Sequence, residues 1–246
     1  MKLPEHEIQA HRDAFKAMSL GEKAEHIFAY YKLPLVIALI VVVFLVTVTY
    51  RTVTHRDEVI YVAYANVVIE EDANAALTDG YLAHEGIDVR HNQVYCYQAL
   101  YLTDSASTPD HQYAYASRLK LLAAIEAAEL DIVIMDRQAY DLLSHSDMLL
   151  DLSALLAEHD EASALLSPYL VSNEVIIEDN QIEVDLNEAD TYEAVTREDV
   201  NAIDISSTPL FNGFTGEVYV GVITNSPRID TVVDYLCYLF EASLEG

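Results

Sequence analysis

Residues 129–143 read ELDIVIMDRQAYDLL, with four apolar residues in a row, Ile132 to Met135, running into an aspartate. A short apolar run bounded by polar residues fits a strand buried on both faces, the kind a parallel sheet places at its centre. RQAYDLLSH follows at once with helical spacing, so the stretch predicts a strand, a sharp turn and a helix. Asp136 stands at that turn. A carboxylate there could do chemistry, or it could end the strand and cap the helix, and its setting favours the cap, with ligand contact at a cleft edge as the further role.

Working outward, the same alternation recurs on both sides. VIYVAYANVVI (59–69) is rich in Val, Ile and Tyr on both alternating faces, and DANAALTDGYLAHEG (72–86) reads as a helix with Asp72 near its start and Gly86 past its end. NQVYCYQALYL (92–102) is a second strand. TPDHQYAYASRLKLLAAIEAAE (108–129) is a helix with Thr108 as N-cap and Pro109 at its first position. This order predicts right-handed crossovers and an open, mainly parallel α/β sheet. Further on, MLLDLSALLAEHDE predicts a helix capped by Ser153, and VIIEDNQIEVD a hairpin turning at Asp179 and Asn180. GEVYVGVITN is a strand, and SPRIDTVVDYLCYLFE an amphipathic helix capped by Ser226 with Pro227 first.

The net charge of −28 is unevenly spread. Residues 1–56 hold seven Lys/Arg and five acids, whereas residues 57–246 hold six Lys/Arg and 36 acids. Such a surface repels phosphate backbones, so nucleic acid is excluded as a partner of the large segment, and its plainest role is to keep an exposed domain soluble. Between Lys32 and Arg51 lie eighteen uncharged residues, LPLVIALIVVVFLVTVTY. As a helix they reach about 27 Å, enough to cross a hydrocarbon core. Tyr30, Tyr31 and Tyr50 suit the two interfaces, and a capping box at Ser19 and Glu22 starts the helix leading in. The expected organisation is a cytoplasmic juxtamembrane segment (1–32), a transmembrane helix (33–50) contacting the bilayer, a linker (51–58) and an extracytoplasmic α/β domain (59–246). The bias of Lys/Arg towards residues 1–32 directs the N-terminus inward.

Two stretches, SRLKLLAAIEAAELDIVIMDRQAYDLLSHSDMLLDLSALL (117–156) and VYVGVITNSPRIDTVVDYLCYLFE (218–241), resemble the extracytoplasmic solute-binding proteins of the type 2 periplasmic-binding fold, especially the sugar-binding group served by ABC transporters. The resemblance implies a periplasmic-binding-protein-like domain, here shortened to one lobe plus a reduced second one. It also implies a non-catalytic function: capture or sensing of a ligand outside the cell. The alternative is an envelope interaction or scaffold protein whose binding-protein-like lobe no longer takes a small molecule.

Motifs for chemistry are missing from the sequence. No nucleophile elbow, Gly-rich phosphate loop, HExxH or paired-Cys motif occurs, and His84 with His91, or His145 with Asp147, share no predictable face for a metal. Neither an enzyme nor a cofactor is expected. Cys96 and Cys237, each in an apolar run beside tyrosine, read as buried thiols, with a disulfide between them as the alternative outside the cytoplasm. In α/β sheets ligands bind outside the carboxyl ends of the strands. The candidate contacts there are Tyr64, Asn66, Asp104, Asp136, Arg137 and Asn212. Tyr95, Tyr97 and Tyr101 fall on one face of the second strand, where packing is the commoner role of aromatic rings.

Overall fold

In a computed structural model of the chain, the run 132–135 is strand β3 (Ile132–Met135), and all four of its side chains are buried. The structure describes residues 17, 19–103, 110–179, 194–211 and 214–242. Two units result, residues 1–55 and residues 56–246.

The first unit is dominated by helix α1 (Leu20–Thr54), which begins directly after Ser19 and contains Pro34. Its side chains are described at 21, 33–34 and 36–51, so Glu22 of the expected capping box lies outside the described side chains. Leu39, Phe44 and Val46 are among many exposed apolar side chains along it. Among the described residues no helix is long and apolar enough to cross a membrane.

The second unit is built on a six-stranded open sheet in the order β2-β1-β3-β6-β5-β4. Strand β1 (Asp57–Ala65) pairs in parallel with β2 (Asn92–Leu100) and with β3. Strands β4 (Leu170–Asp179), β5 (Ala194–Asp204) and β6 (Tyr219–Val222) continue antiparallel, with β6 lying against β3. The sheet is therefore mixed, and the expectation of a mainly parallel one is corrected. YVGV is apolar on both faces whichever way it runs, so its direction could not be read from pattern. Strand β4 also corrects the expected tight hairpin, because Asp179 pairs with Ala194 and the partner strand is β5. Asn180 lies outside the described residues.

Alternate residues of each strand feed two cores. On one face, Ile60, Val62, Tyr64, Ile132 and Ile134 pack with Leu77, which follows the short helix α2 (Glu71–Ala75), and against the helices α3 (Tyr81–His84), α6 (Leu152–Ala157), α7 (Asp160–Leu166) and α8 (Ile229–Glu241). On the other, Ala63, Ala65, Val133 and Met135 meet Leu121 and Ala124 of α4 (His111–Glu126) and Tyr140 and Leu143 of α5 (Arg137–His145). The result is a sheet between two helical layers in one compact unit. Two expected caps shift: Asp151, two residues before Ser153, caps α6, and Arg228 precedes α8 while Ser226 instead bonds inward; the described part of α4 begins at His111, and the expected cap at Thr108 and Pro109 lies outside the described residues.

The expected helix over 72–86 forms, but with a π-turn at Ala76–Gly80 between α2 and α3. A π-turn misaligns backbone carbonyls, and two buried tyrosines of α8 supply the missing donors. Tyr235 donates its hydroxyl to the Leu77 carbonyl (2.9 Å) and Tyr238 to that of Ala76 (2.7 Å). Burial holds the Tyr235 phenol well above its usual range, so it remains a donor. Gly80 makes the approach possible, since a Cβ there would lie 2.8 Å from the Tyr238 hydroxyl. Gly86, at φ +67, ends the segment as expected. Both cysteines are free thiols.

At the amino end of β3 sits Asp131, fully buried. Its carboxylate accepts from the Tyr61 amide (2.9 Å), the Ser226 hydroxyl (2.6 Å) and Arg228 Nε (2.8 Å). Arg228 also donates to the Ala128 carbonyl (2.8 Å) and lies over the Tyr61 ring.

Asp131→Ala will destabilise the chain by about 3–5 kcal/mol, because it strands a partly buried guanidinium. The double variant Asp131→Leu/Arg228→Leu will lose less than Asp131→Ala alone. Urea midpoints of the three proteins check this, and equal losses in the single and double variants would contradict it. Tyr235→Phe will cost about 1–3 kcal/mol in the same assay, through the unpaired Leu77 carbonyl.

Candidate functional site

The carboxyl ends of β1 and β3 lie side by side, and the residues that leave them set the local geometry. Asn66 follows β1 with φ +60, a left-handed conformation that asparagine tolerates better than most residues. Its amide nitrogen donates to the Leu102 carbonyl (2.8 Å) and to Asp136 Oδ1 (3.0 Å), and its oxygen accepts from the Leu102 amide (2.8 Å). One side chain thereby ties the ends of β1, β2 and β3. Asp136 Oδ1 also accepts from the Ala139 amide (2.8 Å), so Asp136 is the N-cap of α5.

Above this floor opens a cleft of about 670 Å³ lined by Asp136, Arg137, Gln138, Asp141, His145 and Glu217, with Thr215 and Gly216 on the same wall as Glu217. Arg137 is its central cation. Its Nε lies 2.9 Å from Asp141 Oδ1, one turn along α5, and its guanidinium stands 5.4 Å from the Tyr140 ring centroid and 5.9 Å from that of Tyr219. The bond to the Tyr219 hydroxyl, ahead of the Asp141 charge, raises the Arg137 pKa, so it is a permanent cation. Tyr219 donates to Glu217 Oε2 (2.6 Å) and its phenol is raised, first by burial and then by that bond. Asn173 on β4 donates to Asp141 Oδ1 (2.8 Å), fixing the far side of α5. Gln138 donates to the Thr103 hydroxyl (3.0 Å).

The arrangement offers a fixed guanidinium among carboxylates, an amide and an imidazole. It can bind a small polar molecule through several directed hydrogen bonds. Among the described residues no group of three or more His, Cys, Asp or Glu side chains could hold a metal.

Of the six sequence candidates, Asp136 and Arg137 line the cleft. Asn66 lies beneath it as a structural tie. Tyr64 is in the core, its hydroxyl in hydrogen-bond contact with Cys96 Sγ at 3.4 Å, and burial raises its phenol far above the ordinary range. Asp104 and Asn212 lie outside the described residues. Sequence reasoning missed Gln138, Asp141, His145 and Glu217. The i,i+4 spacing of Arg137, Asp141 and His145 on α5 was a usable signal, since such residues share a helix face. Glu217 arrives from a distant loop and left no local mark.

Asn66→Ala will lose about 2–3 kcal/mol, from its hydrogen bonds and from the strained φ. Asn66→Gly relieves the backbone and retains only the hydrogen-bond part of that loss. Paired urea unfolding curves check the difference, and equal midpoints would show that the left-handed turn carries no strain. No family model matches the chain, nor does any curated protein or solved structure.

Proposed function

We propose that this chain is a single-span, membrane-tethered protein that displays its α/β domain outside the cytoplasm, where the strand-end cleft captures or senses a small polar ligand without catalysis. The observation that carries the reading is the cleft itself, at the carboxyl ends of parallel β1 and β3, where open α/β sheets bind ligands. Its side chains are held in place by bonds to one another and to the sheet, which lowers the entropy lost on binding.

Three features support the tether. Residues 33–50 carry no charge, the helix α1 that contains them is continuous, and its described side chains from 36 to 50 are exposed on every side. Exposed Leu, Ile, Val and Phe in water forfeit about 25 cal/mol per Å² of apolar area, and a bilayer recovers it. The charge division supports a topology in which the acidic domain stands away from anionic headgroups and outside the cytoplasm. Because residues 56–246 form one compact unit, the proposed capture is by a surface cleft and not by closure of two lobes.

Two measurements test it. The full-length chain should stay in the membrane pellet after alkaline carbonate extraction, and protease added to intact cells should remove the α/β domain. Release by carbonate overturns the tether. In detergent, a thermal-shift screen of sugars, amino acids, short peptides and divalent cations should give at least one stabilising compound whose effect is lost in Arg137→Ala. Silence across the screen, or a hit indifferent to Arg137, overturns the cleft.

A further inference from the structure

The cleft sets three carboxylates, Asp136, Asp141 and Glu217, against one guanidinium, Arg137. Each carboxylate commits a single oxygen to the protein. Asp136 Oδ1 accepts from Asn66 and the Ala139 amide, Asp141 Oδ1 from Arg137 and Asn173, and Glu217 Oε2 from the Tyr219 hydroxyl. Those bonds fix the three groups while leaving the second oxygen of each without a donor among the described residues. Arg137 is used in the same partial way. Its Nε meets Asp141, its fork also meets the Tyr219 hydroxyl, and the side chain is half exposed, so the remaining N–H groups are open to an acceptor.

These spare groups discriminate between ligands by charge. A ligand whose only charge is negative would approach the guanidinium past three carboxylates, in a segment with 36 acids and six Lys/Arg. A lone divalent cation needs several oxygens gathered about one point, and among the described residues no such group exists. An uncharged sugar leaves the carboxylate charge uncompensated, and the Tyr140 and Tyr219 rings on which it could stack are already faced by the guanidinium, at 5.4 and 5.9 Å.

We infer that the ligand class of the cleft is a diamino acid: a zwitterion whose carboxylate pairs with the open side of Arg137 and whose two ammonium groups are shared among Asp136, Asp141 and Glu217. One negative and two positive charges on the ligand then answer one positive and three negative charges on the protein. Arginine takes a carboxylate through charge-assisted hydrogen bonds, and an ammonium group donates to the carboxylate oxygens in the same way. Asp136 and Asp141 stand on α5 and its cap and Glu217 on the 215–217 loop, so two separated ammonium groups match them better than one. The cleft, about 670 Å³, lies within the range of about 300–1,000 Å³ usual for small-molecule sites. The inference rests on the proposal that this cleft is the binding site.

Calorimetric titration of the full-length chain in detergent at low ionic strength tests it. The probes are L-lysine and L-ornithine, their decarboxylated counterparts cadaverine and putrescine, aminohexanoate, which lacks the α-amino group of lysine, and glucose. At least one of the two diamino acids should bind about tenfold or more tightly than its decarboxylated counterpart and than aminohexanoate, and glucose should give no heat. Arg137→Gln should remove the advantage of the diamino acid over the diamine. Glu217→Gln keeps an acceptor for Tyr219, and it should weaken diamino acid and diamine together, leaving their ratio unchanged. A urea curve for each variant shows that it is folded, and Glu217→Gln carries the test if Arg137→Gln is not. Three results overturn the ligand class while leaving the cleft in place: a diamine that binds as tightly as its diamino acid, tighter binding of glucose or aminohexanoate, or diamino acid binding indifferent to Glu217→Gln. Absence of heat with every probe also overturns the class, and the wider thermal-shift screen then decides the cleft on its own.

Discussion

The buried carboxylate of Asp131 is the contact on which the second unit depends. It lies where three parts of the chain meet: the middle of β1 through the Tyr61 amide, the approach to β3, and the loop that carries β6 into α8 through Ser226 and Arg228. Its backbone is engaged as well, donating to the Tyr61 carbonyl (3.0 Å) and accepting from the Ile223 amide (2.9 Å). The sheet changes from parallel to antiparallel between β3 and β6, so the chain there cannot be held by a regular crossover alone. A charged pair whose buried polar atoms are all hydrogen-bonded holds that junction, and its directionality excludes other placements of α8 in a way that apolar packing would not. Among the described residues no buried side-chain polar atom lacks a hydrogen bond.

The strand IVIM is thus bracketed by two aspartates with opposite uses. Asp131 is sealed and paired with a cation, whereas Asp136 faces the cleft and spends one oxygen on the α5 amide and on Asn66. The sealed end fixes where β3 starts, and the open end fixes where α5 starts. Arg137, the next residue, is then aimed into the cleft by helix geometry. Site and fold share one four-residue strand, which is why a cleft at this position keeps a defined shape while its outer wall, Thr215 to Glu217, comes from a loop.

Much of the parallel half was legible because its signals are local. An apolar run ending in Asp136 gives both strand and cap, and Gly86 marks the end of the preceding helix. The antiparallel half was less legible because β5 reads AVTREDVNAID, with only part of its length buried, and because β4 pairs with a segment well beyond the turn that DN suggests. Asp131 illustrates a different limit. It and Arg228 are 97 residues apart, and nothing in ELDIVIMD distinguishes a sealed carboxylate from a solvated one. The π-turn is hidden for the same reason, since its donors come from α8, 158 and 162 residues later.

Those tyrosines explain how so acidic a segment builds a core at all. The chain has 17 tyrosines and no tryptophan, and several of them fill the interior while serving irregular backbone. Tyr235 and Tyr238 support the π-turn; Tyr140 donates to Asn201 Oδ1 (2.8 Å), whose amide donates to Ser144 Oγ (2.8 Å), which in turn donates to the Glu174 carbonyl (2.9 Å). This network fastens α5 to β4 and β5. A phenylalanine core of the same volume would leave these carbonyls and amides without partners, at a cost of about 1–3 kcal/mol each. Tyrosine supplies apolar area and a neutral donor together, so among the described residues the buried acids are only Asp131 and Asp199, each paired with an arginine, and the other described acids are left nearer the surface.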